Sequence, residues 1–144
     1  MSGTGAVAAG ARRLAGAALD ALLPPRCLAC GVVVAEAHRL CGACWAGVDF
    51  IAAPHCAVCG LPFDVDPGEA ALCAGCAAAR PVFDRARAAL RYGGVARTLV
   101  LRLKHADRTD LAPALGRWMT RSGAALLAEA DMVAPVPLHR WRLF

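Results

Sequence analysis

The chain has 144 residues, 58% of them hydrophobic but only 6% aromatic, with a formal net charge of +5. Ala supplies 34 residues, so the apolar fraction overstates the area available for burial, and the length fits one or two units of the usual ~100–150 residues. No stretch reaches the ~20 uninterrupted apolar residues of a bilayer-spanning helix. Charge is uneven along the chain. Residues 1–83 carry five Arg against six acids, a net of −1, whereas residues 84–144 carry eleven Arg or Lys against five acids, a net of +6.

Residues 1–24 predict an N-terminal helix. Val7, Ala11, Leu14, Ala18 and Leu22 recur at helical spacing, and Pro24-Pro25 ends the pattern, because a residue before proline is pushed out of the α region. A secretory signal would place its positive charge ahead of an unbroken apolar run. Here Arg12-Arg13 follow an uncharged stretch and Asp20 interrupts the run that comes after them, so the expected location is cytoplasmic.

Residues 25–80 hold all eight cysteines, as four Cys-x-x-Cys pairs: Cys27/Cys30, Cys41/Cys44, Cys56/Cys59 and Cys73/Cys76. The segment repeats itself. Pro25-Arg26-Cys27-Leu28-Ala29-Cys30-Gly31 returns as Pro54-His55-Cys56-Ala57-Val58-Cys59-Gly60, and Leu40-Cys41-Gly42-Ala43-Cys44 returns as Leu72-Cys73-Ala74-Gly75-Cys76. Each copy is one supersecondary module. Zinc takes four soft ligands in a tetrahedron, and each Cys-x-x-Cys turn offers two thiolates to one ion. The pattern therefore predicts a double zinc ribbon with two structural Zn2+ ions and hairpin arms, and left-handed backbone at Gly31 and Gly60 after each first pair.

Grouping within repeats (Cys27, Cys30, Cys41, Cys44; then Cys56, Cys59, Cys73, Cys76) closes the shorter loops and costs less chain entropy. A crossed grouping stays open, as does one zinc with one degenerate site. Redox or disulfide use is disfavoured, because a thioredoxin-like pair would sit once, ahead of a helix. His55 is either a competing ligand or a polar flank. With Trp45, Phe50 and Phe63 as the only bulky aromatic residues of this segment, the metal is expected to hold the module together. Structural zinc contributes an apparent ~10–16 kcal/mol in small fingers.

From residue 81 the pattern becomes α/β. Val82 to Tyr92 alternates, which predicts a half-buried strand, and Gly93-Gly94 breaks it. Val95, Leu99 and Leu103 predict a helix, residues 110–128 a second one with Pro113 tolerated in its first turn, and Met132 to Val136 a short strand. Arg97, Arg102, Lys104 and Arg108, with His105, fall on or just past the first of these helices, and Arg117 and Arg121 on the next. They are candidate contacts for single-stranded DNA phosphates; a solvated face, or a face covering a sheet, is the alternative. Tyr92, Trp118 and Trp141 are candidate stacking platforms or core residues.

The ordered series of motifs resembles the ComF family of competence-associated proteins. It comprises the Leu22-Leu23-Pro24-Pro25 helix end, the double ribbon and Leu90-Arg91-Tyr92-Gly93-Gly94. Leu101-Arg102-Leu103-Lys104-His105, Leu111-Ala112-Pro113-Ala114-Leu115-Gly116 and Val136-Pro137-Leu138-His139-Arg140 complete it. The similarity spans residues 14–144. It implies a link to DNA uptake in natural transformation, with single-stranded DNA and other uptake proteins as partners. It also implies that residues 81–144 open a type I phosphoribosyltransferase-like domain.

In that reading Pro137, Leu138, His139, Arg140 and Arg142 form a loop beside the pyrophosphate of phosphoribosyl pyrophosphate. The later Asp-Asp and Thr-Thr-Gly segments of the family do not occur in these 144 residues. The transferase-like segment is therefore expected to be incomplete and inactive alone, with phosphoribosyl pyrophosphate and Mg2+ entering only with a completed domain. Two other readings stay open: part of a phosphoribosyltransferase-like enzyme, and a stand-alone zinc-ribbon module that binds nucleic acid.

Overall fold

The computed structural model describes residues 23–136. The expected anion loop at Pro137 to Arg142 and all but the last two residues of the expected N-terminal helix lie outside the described residues. The described elements are α1 (Gly42–Ala46), α2 (Ala74–Ala78), α3 (Gly94–His105), a 3-10 turn (Thr109–Leu111), α4 (Ala112–Ser122) and α5 (Ala124–Glu129). No helix among them is long and apolar enough to cross a membrane. The described residues form two compact units, 23–50 with 90–116 and 51–89 with 117–136.

Both units contain one cysteine repeat, and the backbone hydrogen bonds of the two copies correspond one for one. Cys27 N–H donates to Val32 and Cys56 N–H to Leu61; Gly31 N–H donates to Cys27 and Gly60 N–H to Cys56. Leu28 N–H donates to Arg39 and Ala57 N–H to Ala71. The arms pair only through isolated antiparallel bridges, Arg26 with Val33 and His55 with Pro62, so the expected hairpin ribbons are knuckles with very short arms. Gly31 and Gly60 have φ of +81° and +73°, as the turn around each knuckle requires.

In the first unit, α1 follows Cys41, which is extended at φ −69°. Trp45 on α1 tilts against Phe50 with ring centroids 5.0 Å apart. Phe50 also bridges to Leu90, and Arg91 ion-pairs with Asp49 at 3.2 Å. Helix α3 buries Ala96 and Leu99, the face that the Val95, Leu99, Leu103 spacing predicts, and the 3-10 turn packs on it. Leu99 and Leu111 are both fully buried, at 0% exposure. Arg102, Lys104 and His105 occupy the last turn of α3, where the Arg102 and Lys104 cations complement the helix dipole.

In the second unit, Cys56, Val58 and Cys76 form a buried cluster with Cys59, Phe63 and Cys73 packed on it. Sulfur atoms thus make up much of this core. Arg85 pairs with Glu129 at the end of α5, and the Ser122 hydroxyl donates to the Ala88 carbonyl.

Four expectations for the second half need correction. Residues 82–92 form no strand, only an isolated bridge at Leu90: Val82 stands fully out in solvent at 107% exposure, and Ala86 N–H donates to Val58 in the knuckle. That knuckle offers isolated carbonyls, not a ladder, so alternation along the sequence finds no sheet to pair with. Met132 to Val136 likewise forms no strand among the described residues, because no neighbouring strand is there to receive it. The single helix over 110–128 is three elements, interrupted at Gly123. The α/β pattern expected from residue 81 is therefore helical over the described part, with one isolated bridge at Leu90.

Candidate metal centre

The eight cysteines fall into two clusters, Cys27/Cys30/Cys41/Cys44 and Cys56/Cys59/Cys73/Cys76, with the four Sγ atoms of each within 4.8 Å of one another. The grouping is within repeats. All eight are free thiols, and Cys30–Cys41 and Cys59–Cys73 stand at 3.6 Å Sγ to Sγ. A disulfide would need ~2.05 Å. A tetrahedron with ligands ~2.3 Å from zinc has edges of about 3.8 Å. The donor set and its spacing fit a Zn2+ ion in each cluster, with no histidine needed. His55 lies in neither cluster and its Nδ1 is buried without a hydrogen-bond partner; it flanks the site.

The local fold places each sulfur. Within a repeat the first pair sits on the Gly-terminated knuckle, while the second pair starts a short helix: Cys41 precedes α1 and carries Cys44 one turn on, and Cys73 does the same for Cys76 on α2. Backbone N–H groups at these points aim at sulfur. Cys41 N–H donates to Cys27 Sγ at 3.2 Å, and Cys73 N–H to Cys56 Sγ at 3.3 Å.

These donors set the acidity of the metal-free clusters. Burial pushes the Cys27 thiol up, but N–H groups of Cys30, Cys41 and Ala29 outweigh it and bring it down from 9.0 to about 6. For Cys56 the Cys73 N–H is the largest influence, and with Cys59 and Val58 it overcomes burial to give about 6. Cys44 and Cys76 go the other way, pushed up to about 12 by burial and by their neighbouring cysteines. Each cluster without metal holds one ready thiolate and one thiol that resists ionisation. A divalent cation reverses the second effect by neutralising the crowded sulfurs.

The candidate nucleic-acid residues have divided fates. Arg102 Nη1 donates to the Leu28 carbonyl at 3.0 Å, inside the first knuckle. Arg108 forks onto Asp110 with two 2.7 Å bonds, and Asp110 in turn accepts His38 Nδ1 at its carbonyl, 2.9 Å away. Arg97 and Lys104 are exposed and seven residues apart, hence on one face of α3. The sequence pattern puts Arg87 on the polar side of a strand and gives it no part in either site. Its guanidinium reaches the Ala57 carbonyl in the second knuckle through both Nη1 and Nη2, at 3.2 Å each. The registered repeat marks Ala57 as the counterpart of Leu28, but no sequence signal pairs either with an arginine.

Residues 18–77 match the double zinc ribbon domain family, and the described part of that span is a double zinc ribbon with two four-cysteine sites. No curated protein and no solved structure matches the chain.

Proposed function

We propose that the chain is a ComF-like protein of DNA uptake, in which two structural zinc sites hold a module that engages single-stranded DNA. The observation that carries this reading is the pair of four-cysteine clusters in registered repeats. They resemble the front half of that family, and the motifs at Leu90–Gly94, Leu101–His105, Leu111–Gly116 and Val136–Arg140 follow them in the family's order. The clusters are saturated by protein thiolates, which leaves no open coordination position for chemistry; the metal is architectural. On the first unit, Arg97 and Lys104 share one exposed face of α3, and Tyr92, just ahead of that helix, and Trp45 are exposed aromatics. Cations that meet phosphates and rings that stack on bases are the two components of sequence-tolerant single-strand binding.

Fluorescence anisotropy of a labelled single-stranded oligonucleotide against the zinc-loaded chain tests this. Binding is expected at low salt and to weaken steeply as salt rises. R97Q with K104Q is expected to weaken it roughly tenfold and to flatten the salt dependence by about two phosphate contacts. Absence of binding at low salt by the loaded protein would overturn the reading.

A further inference from the structure

The two knuckles share a feature beyond their cysteines. In each, the carbonyl of the residue after the first cysteine accepts a guanidinium from the second half of the chain. Leu28 receives Arg102 at 3.0 Å and Ala57 receives Arg87 at 3.2 Å. The repeat register equates Leu28 with Ala57, yet the two arginines come from different settings. Arg102 is in the last turn of α3, whereas Arg87 follows the irregular segment whose Ala86 N–H also bonds the knuckle at Val58, 2.7 Å away. Both guanidiniums are partly buried at these bonds. The same device has been met twice by unrelated local structure.

We propose that Arg102 and Arg87 are positioning residues for the first and second metal sites respectively. Each pins the peptide plane that turns its knuckle around the ion, and each supplies a positive charge beside the sulfur cluster. The proposal rests on the two-zinc reading of the four-cysteine clusters.

The geometry explains how one bond acts on sulfur it does not touch. In a trans peptide the C=O and N–H point to opposite sides. The Leu28–Ala29 peptide presents its carbonyl to Arg102, while the Ala29 N–H is among the groups that stabilise the Cys27 thiolate. The Ala57–Val58 peptide does the same between Arg87 and Cys56. Holding the carbonyl fixes the direction of the N–H, and a cation on the oxygen polarises the peptide so that the N–H donates more strongly. Charge acts in the same sense, because four thiolates around Zn2+ leave a net of about −2. Arginine suits the role better than lysine, since its planar fork holds a fixed direction.

The test is site-resolved. The full zinc-loaded chain, wild type or carrying R102Q or R87Q, is exposed to a chromophoric zinc chelator and to N-ethylmaleimide, and the alkylated cysteines are identified by peptide mass. R102Q is expected to speed zinc loss and alkylation about tenfold at Cys27, Cys30, Cys41 and Cys44, with Cys56, Cys59, Cys73 and Cys76 unchanged. R87Q is expected to give the mirror pattern. R102K and R87K, which keep the charge and lose the fork, are expected to recover part of the protection. Equal deprotection of both clusters by either glutamine variant, or no change at all, would overturn the proposal. Zinc content of the wild-type chain separates this from the underlying reading. Fewer than two ions per chain overturns the two-site reading and the proposal with it, whereas two ions with unselective variants overturns the proposal alone.

Discussion

At Gly60 the backbone φ is +73° and a Cβ would stand 2.8 Å from the Ala86 carbonyl oxygen. At its repeat counterpart, Gly31, φ is +81° but nothing lies within 4 Å of that position. The two glycines therefore separate conformational cost from steric cost. Placing a Cβ in left-handed backbone costs about 1–2 kcal/mol, and Gly31→Ala is expected to lose about that much stability. Gly60→Ala carries the same penalty and must also push the Ala86 backbone away, breaking the Ala86 N–H bond to Val58. It is expected to lose clearly more. Denaturant titration of the zinc-loaded variants measures both, and equal losses would show that the Ala86 approach is unimportant. The left-handed turn was legible from the Cys-x-x-Cys-Gly spacing alone. The close approach was not, because it involves a segment 26 residues away whose path no local pattern encodes.

Among the elements, legibility followed the physical origin of the signal. The cysteine knuckles could be read because ligand spacing is a local constraint, and α3 because its buried face repeats every three to four residues. The alternation of segment 82–89 misleads because it arises from something other than a sheet: Arg87 turns inward to the Ala57 carbonyl while Val82 turns to solvent. Helix α3 carries a consequence of its own. Few large aliphatic side chains are buried among the described residues: Leu28, Val48, Val58, Leu99 and Leu111. With so small a core, each methyl counts. Leu99→Ala deletes a side chain at 0% exposure and is expected to cost about 2–5 kcal/mol. Leu103→Ala on the same helix, where the side chain is half-buried, is expected to cost less. Thermal melts of the loaded protein compare the two, and equal costs would show that α3 does not seat its unit through Leu99.

Across the whole molecule, stability and metal are one equilibrium. The described core is thin and partly built of the ligands themselves, with Cys27, Cys56 and Cys76 among its buried residues. A binding free energy on the order of 10 kcal/mol per structural zinc is comparable to the total stability of an ordinary domain. Excess chelator is therefore expected to unfold residues 25–80, seen as collapse of amide dispersion in the NMR spectrum; retained dispersion would refute this. The two sites are expected to empty in order. Cys30 of the first cluster is exposed, whereas Cys56 and Cys76 of the second are both buried, so a chelator meets the first cluster more readily. Acid acts through the thiols. Cys27 and Cys56 have folded-state values lowered to about 6 from 9.0, so the stability they contribute is complete above 9.0 and is lost as pH falls through about 6. Cys44 and Cys76, raised to about 12, are protonated in the metal-free clusters across that whole range and must release their protons for zinc to bind. Because the chain without zinc is expected to unfold, its thiols start protonated below their ordinary value of ~8.5, and apparent zinc affinity should rise steeply with pH throughout that range. Zinc competition from pH 8 to 5 reads this directly. A dependence that flattens above about 6 would show that Cys27 and Cys56 stay thiolates in clusters that remain folded without zinc, against the chelator expectation.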